Sequence, residues 1–197
     1  MKIYVPDDLN ATSSEYCEKL NKRLTSSGFE RTAKRKWLES SKIPFRRIVE
    51  LAALKGAGNA LEWGYSFDFC PVTDAQGTRF GWAKTLKSAT FMMTHSPLDY
   101  EDDPEGIIVS PFNSTRQNSK NFERTYKQMN TWFLSVSDKT SILQEFDVWE
   151  NRKSHRTGYS SYWRAPLAHA FCLAYAGNTS RAAPKFESWI ANIKPIP

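Results

Sequence analysis

The residues best suited to recognition or chemistry stand together in one polar stretch toward the C-terminal end. Arg152, Lys153, His155, Arg156, Tyr159, Tyr162, Trp163 and Arg164 interleave cations with flat rings. Phosphate oxygens accept from such cations and unstacked bases sit on such rings, each stacked base being worth about 1–3 kcal/mol. Arg, Tyr and Trp are also the favoured anchors of protein interfaces. The stretch therefore reads as a binding surface for an acidic protein partner, with single-stranded nucleic acid as the alternative. A structural reading stands beside both, in which the three rings help close the core and the charges face water. His155 lies among cations that disfavour its protonated form, which leaves a proton-accepting imidazole. With Ser154 or Glu150 as companions it is the candidate base for a hydrolase-type enzyme, a third reading for which spacing alone supplies no geometry.

Other chemistry is largely excluded. Cys17, Cys70 and Cys172 are far apart and form no Cys-x-x-Cys pair, so neither a zinc knuckle nor a redox pair is expected. Carboxylates crowd the stretch from Asp99 to Glu105, but a calcium loop needs Asp-x-Asp-x-Asp-Gly with a distal Glu, and that spacing is absent. Gly56 and Gly58 precede a strand rather than a helix and lack a following Gly-Lys-Ser/Thr, so they are turn residues and not a phosphate loop. No cofactor or metal is expected. His169, between Ala168 and Ala170 on the most apolar helix, reads as a buried histidine satisfied by local partners, and His95 completes the set of three.

The elements that must position these residues follow from composition and periodicity. A chain of 197 residues, 40% hydrophobic and 24% charged with no low-complexity tract, is expected to form one α+β domain, sheet-rich over 1–112 and helical over 114–197. The net charge of +6 favours acidic partners, and seven Trp leave rings to spare for a contact surface. No apolar run reaches the length of a signal peptide or a membrane span, so a cytoplasmic protein without membrane contact is expected.

Leu61 to Phe69 alternates large apolar residues with small or acidic ones, the period of a half-buried strand with Trp63, Tyr65, Phe67 and Phe69 on its core face. Phe45 to Leu54 is the antiparallel neighbour across a Lys55-Gly-Ala-Gly-Asn turn. Arg79 to Thr85 is expected to extend this to a three-stranded meander. Short strands are expected near Ile3 to Val5, Lys36 to Glu39, Leu86 to Tyr100 and Ile107 to Phe112. The fold class is thus an antiparallel β-meander of four to five strands packed against N-terminal and C-terminal helices. Helices are expected over about Ser14 to Ser26, from Ser114 with Phe122, Tyr126, Met129, Trp132 and Phe133 inward, after Ser137 through Trp149, over Leu167 to Tyr175, and over Pro184 to Ile193 with Phe186, Trp189, Ile190 and Ile193 inward.

A helix closed by Gly28-Phe29, a basic segment with a Trp, an aromatic meander and C-terminal helices in that order resembles the bacterial family of uncharacterised domains designated DUF4304. The resemblance covers about half the chain and implies an α+β fold with no established activity. The run Leu167-Ala-His-Ala-Phe-Cys-Leu-Ala-Tyr-Ala-Gly-Asn with Ala182, Ala183, Phe186 and Trp189 resembles one helical hairpin of tetratricopeptide type, a packing solution rather than a repeat array. The function these residues point to is a non-catalytic, cytoplasmic interaction protein with an acidic partner, of the kind that serves in bacterial immunity or defence.

Overall fold

The computed structural model describes residues 7–39, 44–54, 58–73, 80–82, 89–95, 107–110, 113–151 and 164–191. The chain runs α1 (Asp7–Ser26), β1 (Phe29–Ala33), β2 (Lys36–Glu39), β3 (Phe45–Leu54), β4 (Gly58–Phe67), β5 (Pro71–Thr73), β6 (Phe80–Trp82), β7 (Met93–His95), β8 (Ile107–Val109), α2 (Thr115–Ser135), α3 (Lys139–Asn151), α4 (Ala165–Tyr175) and α5 (Thr179–Ala191). The main sheet is antiparallel in the order β1-β2-β3-β4-β7, and β8 pairs with β4 as well. β7 meets β4 at Trp63 to Tyr65 and β8 meets it at Asn59 and Ala60, so the two short strands share one edge of β4.

Alternation on β4 places Leu61, Trp63, Tyr65 and Phe67 on one face beside Val49 and Leu51 of β3, and all six are buried in the main core. α1 supplies Tyr16, Leu20 and Leu24 to this core, α2 supplies Phe122, Met129, Trp132 and Phe133, and α3 supplies Ile142, Phe146 and Trp149. The opposite face carries a small cluster of Leu38, Ile48, Ala89 and Phe91. The sheet-plus-helices architecture and the inward Trp63, Tyr65 and Phe67 agree with the sequence reading, whereas Phe69 falls past the end of β4, in the turn that follows, and is half-buried.

Several elements differ from expectation. β1 is a strand that the sequence hides, because only Phe29 of its five residues is buried and the rest carry charges or small groups suited to an edge. α1 begins at Asp7, ahead of the expected start near Ser14. β6 does not extend the meander; it pairs with β5 in a separate two-stranded ribbon. The chain turns between Phe67 and Cys70, whose N–H donates to the Phe67 carbonyl at 3.1 Å, and Pro71 then starts a new direction where a missing N–H is tolerated. α5 starts at Thr179 instead of Pro184, with the Asn178 carboxamide oxygen near the Arg181 N–H at 3.4 Å, so that Pro184 lies inside the helix. Of α5 only Ala182 is buried, while Phe186 and Trp189 are half-buried and Ile190 is exposed. Expectations for Ile3 to Val5, Asp99 to Glu105 and Ile193 lie outside the described residues.

Gly64 sets how closely β7 approaches. A Cβ there would stand 1.9 Å from the Met93 carbonyl oxygen, a backbone atom that cannot swing aside. Two outcomes are expected from denaturant unfolding. Phe67→Ala removes a ring with no exposure from the main core and should cost about 3–5 kcal/mol. Gly64→Ala should cost about 1–3 kcal/mol, as overpacking does, by forcing β7 off β4; an unchanged midpoint would show that the strands are not in this register.

Candidate functional site

Of the polar stretch that the sequence singles out, Arg152, Lys153, His155, Arg156, Tyr159, Tyr162 and Trp163 lie outside the described residues. Arg164 is described. It immediately precedes α4, is half-buried, and donates from Nη1 to Thr90 Oγ1 at 2.7 Å, so its guanidinium ties α4 to the segment before β7.

A second place combines cations with rings. α2 has two faces: Asn118, Asn121, Phe122, Thr125, Met129, Trp132 and Phe133 are buried, whereas Lys127, Gln128, Thr131 and Ser135 are exposed and Arg124 is half-buried. Those last five recur at three- and four-residue spacing and form one polar stripe. Where the stripe passes the edge of the sheet it borders a cleft of about 380 Å³, completed by Trp63, His95 and Trp132. The volume falls at the small end of the range of about 300–1,000 Å³ usual for ligand sites.

The register pairs Trp63 with His95, which puts both on the α2 side of the sheet. The imidazole centroid is 5.0 Å from the Trp63 ring and 5.3 Å from the Trp132 ring, so His95 links the two indoles. Its Nδ1 stands 3.6 Å from Glu145 Oε1 on α3. The three rings are 1%, 5% and 9% exposed, so little of their faces is left for a stacked base. Hydrogen bonding dominates instead. Lys127 and Arg124 are cationic, Gln128 adds an amide, and the lining contains no carboxylate among the described residues. The indole N–H groups of Trp63 and Trp132 are buried without an acceptor among the described residues. Each buried, unpaired donor costs about 1–3 kcal/mol. The sequence shows the α2 stripe as the complement of its apolar face, but it does not show that His95, thirty-two residues beyond Trp63, returns to lie beside it.

The other polar cluster joins three helices. Asp147 and Glu150 lie one turn apart on α3, and His169 of α4 stands between them, with Nε2 3.5 Å from Asp147 Oδ1 and Nδ1 3.8 Å from Glu150 Oε2. Arg181 of α5 reaches Asp147 at 2.5 Å, and Lys185 reaches Glu150 at 2.6 Å. One ligand-type atom from each of Asp147, Glu150 and His169 lies within 4.8 Å of the others, which raises the question of a metal. The geometry argues against one, because the carboxylates approach opposite ring nitrogens while an ion uses only one, and each carboxylate already has a cation. The cluster reads as two ion pairs, Arg181 with Asp147 and Lys185 with Glu150, on either side of His169, and it fastens α4 and α5 to α3. His169 has no exposed surface and stacks on Phe146 at 4.8 Å. Burial, with Lys185 adding to it, holds its pKa down at about 3, so the imidazole is neutral. This agrees with the buried histidine expected from sequence.

No family model matches the chain, and no curated protein or solved structure matches it either. The resemblance to DUF4304 therefore carries no residue into either cluster. Among the described residues no helix is long and apolar enough to cross a membrane.

A pH dependence follows from His169. Its folded pKa is depressed, so below about pH 6.5 the unfolded chain takes up a proton that the folded chain refuses. Stability is therefore full above pH 6.5 and falls as the pH drops toward 3. Between pH 7.5 and 4.5 the loss assigned to His169 is about 2–3 kcal/mol. Glu123, held down to about 2 by its hydrogen bond from Arg23, acts only below that window. Denaturant unfolding at the two pH values should show a clearly smaller loss in His169→Gln than in the parent; equal losses would mean that the imidazole titrates normally.

Proposed function

We propose that the chain is a non-catalytic interaction protein that recognises an acidic protein partner, and that the cleft beside α2 is one of its contact surfaces. The observation that carries this reading is the meeting of the cationic α2 stripe, with Lys127 and Gln128 exposed on it, and a floor of Trp63, His95 and Trp132 in a lining that has no carboxylate among the described residues. The polar stretch Arg152 to Trp163 remains a second candidate surface of the same chemical character, so two basic and aromatic regions support one kind of partner. Bacterial immunity or defence is a setting in which such a binder serves, and it stays an analogy. The rings of the cleft cover one another, which favours carboxylates over stacked bases. A hydrolase using His155 has no described geometry behind it.

Fluorescence anisotropy with labelled poly-L-glutamate and with an oligothymidylate, each at several salt concentrations, tests this reading. Polyglutamate should bind, and Arg124→Ala combined with Lys127→Ala should weaken it by about tenfold or more, the scale of losing charge-assisted hydrogen bonds. Lys127→Ala alone should leave unfolding stability within about 0.5 kcal/mol, as an exposed side chain does. If the oligonucleotide binds more tightly, with affinity falling steeply with salt, nucleic acid takes the place of the protein partner. Polyglutamate binding that is indifferent to both substitutions, but lost on replacing Arg152, Lys153 and Arg156 with Ala, would move the contact to the second surface.

A further inference from the structure

Burial does little to hold α5. Of its thirteen residues only Ala182 is buried, while Lys185, Phe186 and Trp189 are half-buried. Two ion pairs reach from it to α3, Arg181 with Asp147 and Lys185 with Glu150, and the Phe186 ring stands edge-on to Phe171 of α4 at 5.0 Å. Both ion pairs use carboxylates that also face His169. That imidazole lies 3.5 Å from Asp147 and 3.8 Å from Glu150, and it has no exposed surface. The charged groups around it among the described residues are therefore Asp147 and Glu150 from α3 and Arg181 and Lys185 from α5; α4 itself carries no charged side chain, and Phe146 of α3 offers only its ring. A proton on His169 would compete with the two α5 cations for the same two negative charges. Such coupling is reciprocal. Burial and the two cations hold the imidazole at a pKa of about 3, so a protonated imidazole must in turn weaken the hold of the cations. Once α5 lifts away, two positive charges leave, the ring meets water, and both carboxylates are left to pair with it. We infer that α5 is a proton-released latch: Asp147 and Glu150 hold either Arg181 and Lys185 or a protonated His169, so that acidification undocks α5 from a folded body and uncovers the α4 face that bears His169 and Phe171. The latch does not rest on the acidic-partner reading.

The pH course follows from the sign of the shift. Above the ordinary imidazole value of 6.5 the ring is neutral whether α5 is docked or not, and docking is at full strength. Below it only the undocked state takes up the proton, so its weight rises about tenfold per pH unit until the pH nears 3. Native-state hydrogen exchange on the full chain, resolved by residue and corrected at each pH for the intrinsic exchange rate, reads this opening. Amides of α5 from Lys185 to Ala191 should be less protected than those of β4 at pH 7.5, and should lose about tenfold in protection per pH unit below 6.5. His169→Gln removes the titration and should leave α5 protection level over the same range. Arg181→Gln combined with Lys185→Gln should leave α5 poorly protected already at pH 7.5 while β4 keeps its own protection. The inference is overturned if α5 and β4 are equally protected at every pH, if α5 loses protection equally in the parent and in His169→Gln, or if α5 is unaffected by the loss of both cations. Should His169→Gln not fold, the parent decides: α5 protection that lies below that of β4 and falls tenfold per pH unit supports the latch, and α5 protection that ignores pH overturns it.

Discussion

Trp63, Tyr65 and Phe67 stand in a row on one face of β4 with 0–3% of their surface exposed, and no side chain of the sheet alone can cover rings of that size. The cover comes from α2 and α3. The Tyr65 ring meets Trp132 at 5.7 Å and Phe133 at 5.7 Å, and Phe67 meets Phe146 at 6.0 Å. The Tyr65 hydroxyl donates to the Val136 carbonyl at the junction between the two helices. That bond satisfies a phenol which burial keeps protonated and fixes the place where α2 ends and α3 begins. One residue of the row thus sets the position of both helices, and the polar stripe of α2 reaches the edge of the sheet only because of it.

The same face holds a pair of charges. Arg47 lies opposite Tyr65 in the register and therefore points into the helix-covered side, where its guanidinium sits 5.2 Å from the Phe29 ring and 5.1 Å from the Phe133 ring. Glu39 on β2, nearly buried, accepts from it in a two-pronged ion pair. Removing either partner would leave a charge in the core, at a cost of about 3–5 kcal/mol, whereas the intact pair is close to neutral in stability. Its effect is on geometry: a planar fork between two rings holds the β1–β2 hairpin against α2 in one arrangement.

Legibility from sequence divides along the same physical line. Elements with a clear apolar signal are readable: β3, α2 and α3 through the period that burial on one face imposes, β4 through its alternating large rings although both its faces are buried, and α4 because it is apolar nearly throughout. β1 and α5 are not, since β1 buries only Phe29 and α5 only Ala182. Arg47 looks like a surface residue in sequence because its partner Glu39 is on another strand and the rings around it come from Phe29 and Phe133. The cleft was half legible. Arg124, Lys127, Gln128, Thr131 and Ser135 share a helical face by spacing alone, but the floor depends on β7 folding back onto β4 across a long connection, a non-local pairing that local periodicity does not encode.

Gly64 connects these levels. With a side chain at that position the Met93 carbonyl could not sit where it does, and β7 would stand off from β4. His95 would then leave Trp63, and the aromatic floor of the cleft would open on the side away from α2. The row of rings places the donor stripe from above, and the missing side chain of Gly64 brings the floor in from the edge. The cleft therefore exists where a requirement for bulk and a requirement for its absence fall on adjacent residues of one strand, Trp63 and Gly64. Because neighbouring strand residues face opposite sides, the two requirements do not compete for the same space. The core can be filled on one face while the β7 backbone closes on the edge of the strand, and a polar, cation-rimmed cavity lies at the border of an otherwise well-packed interior.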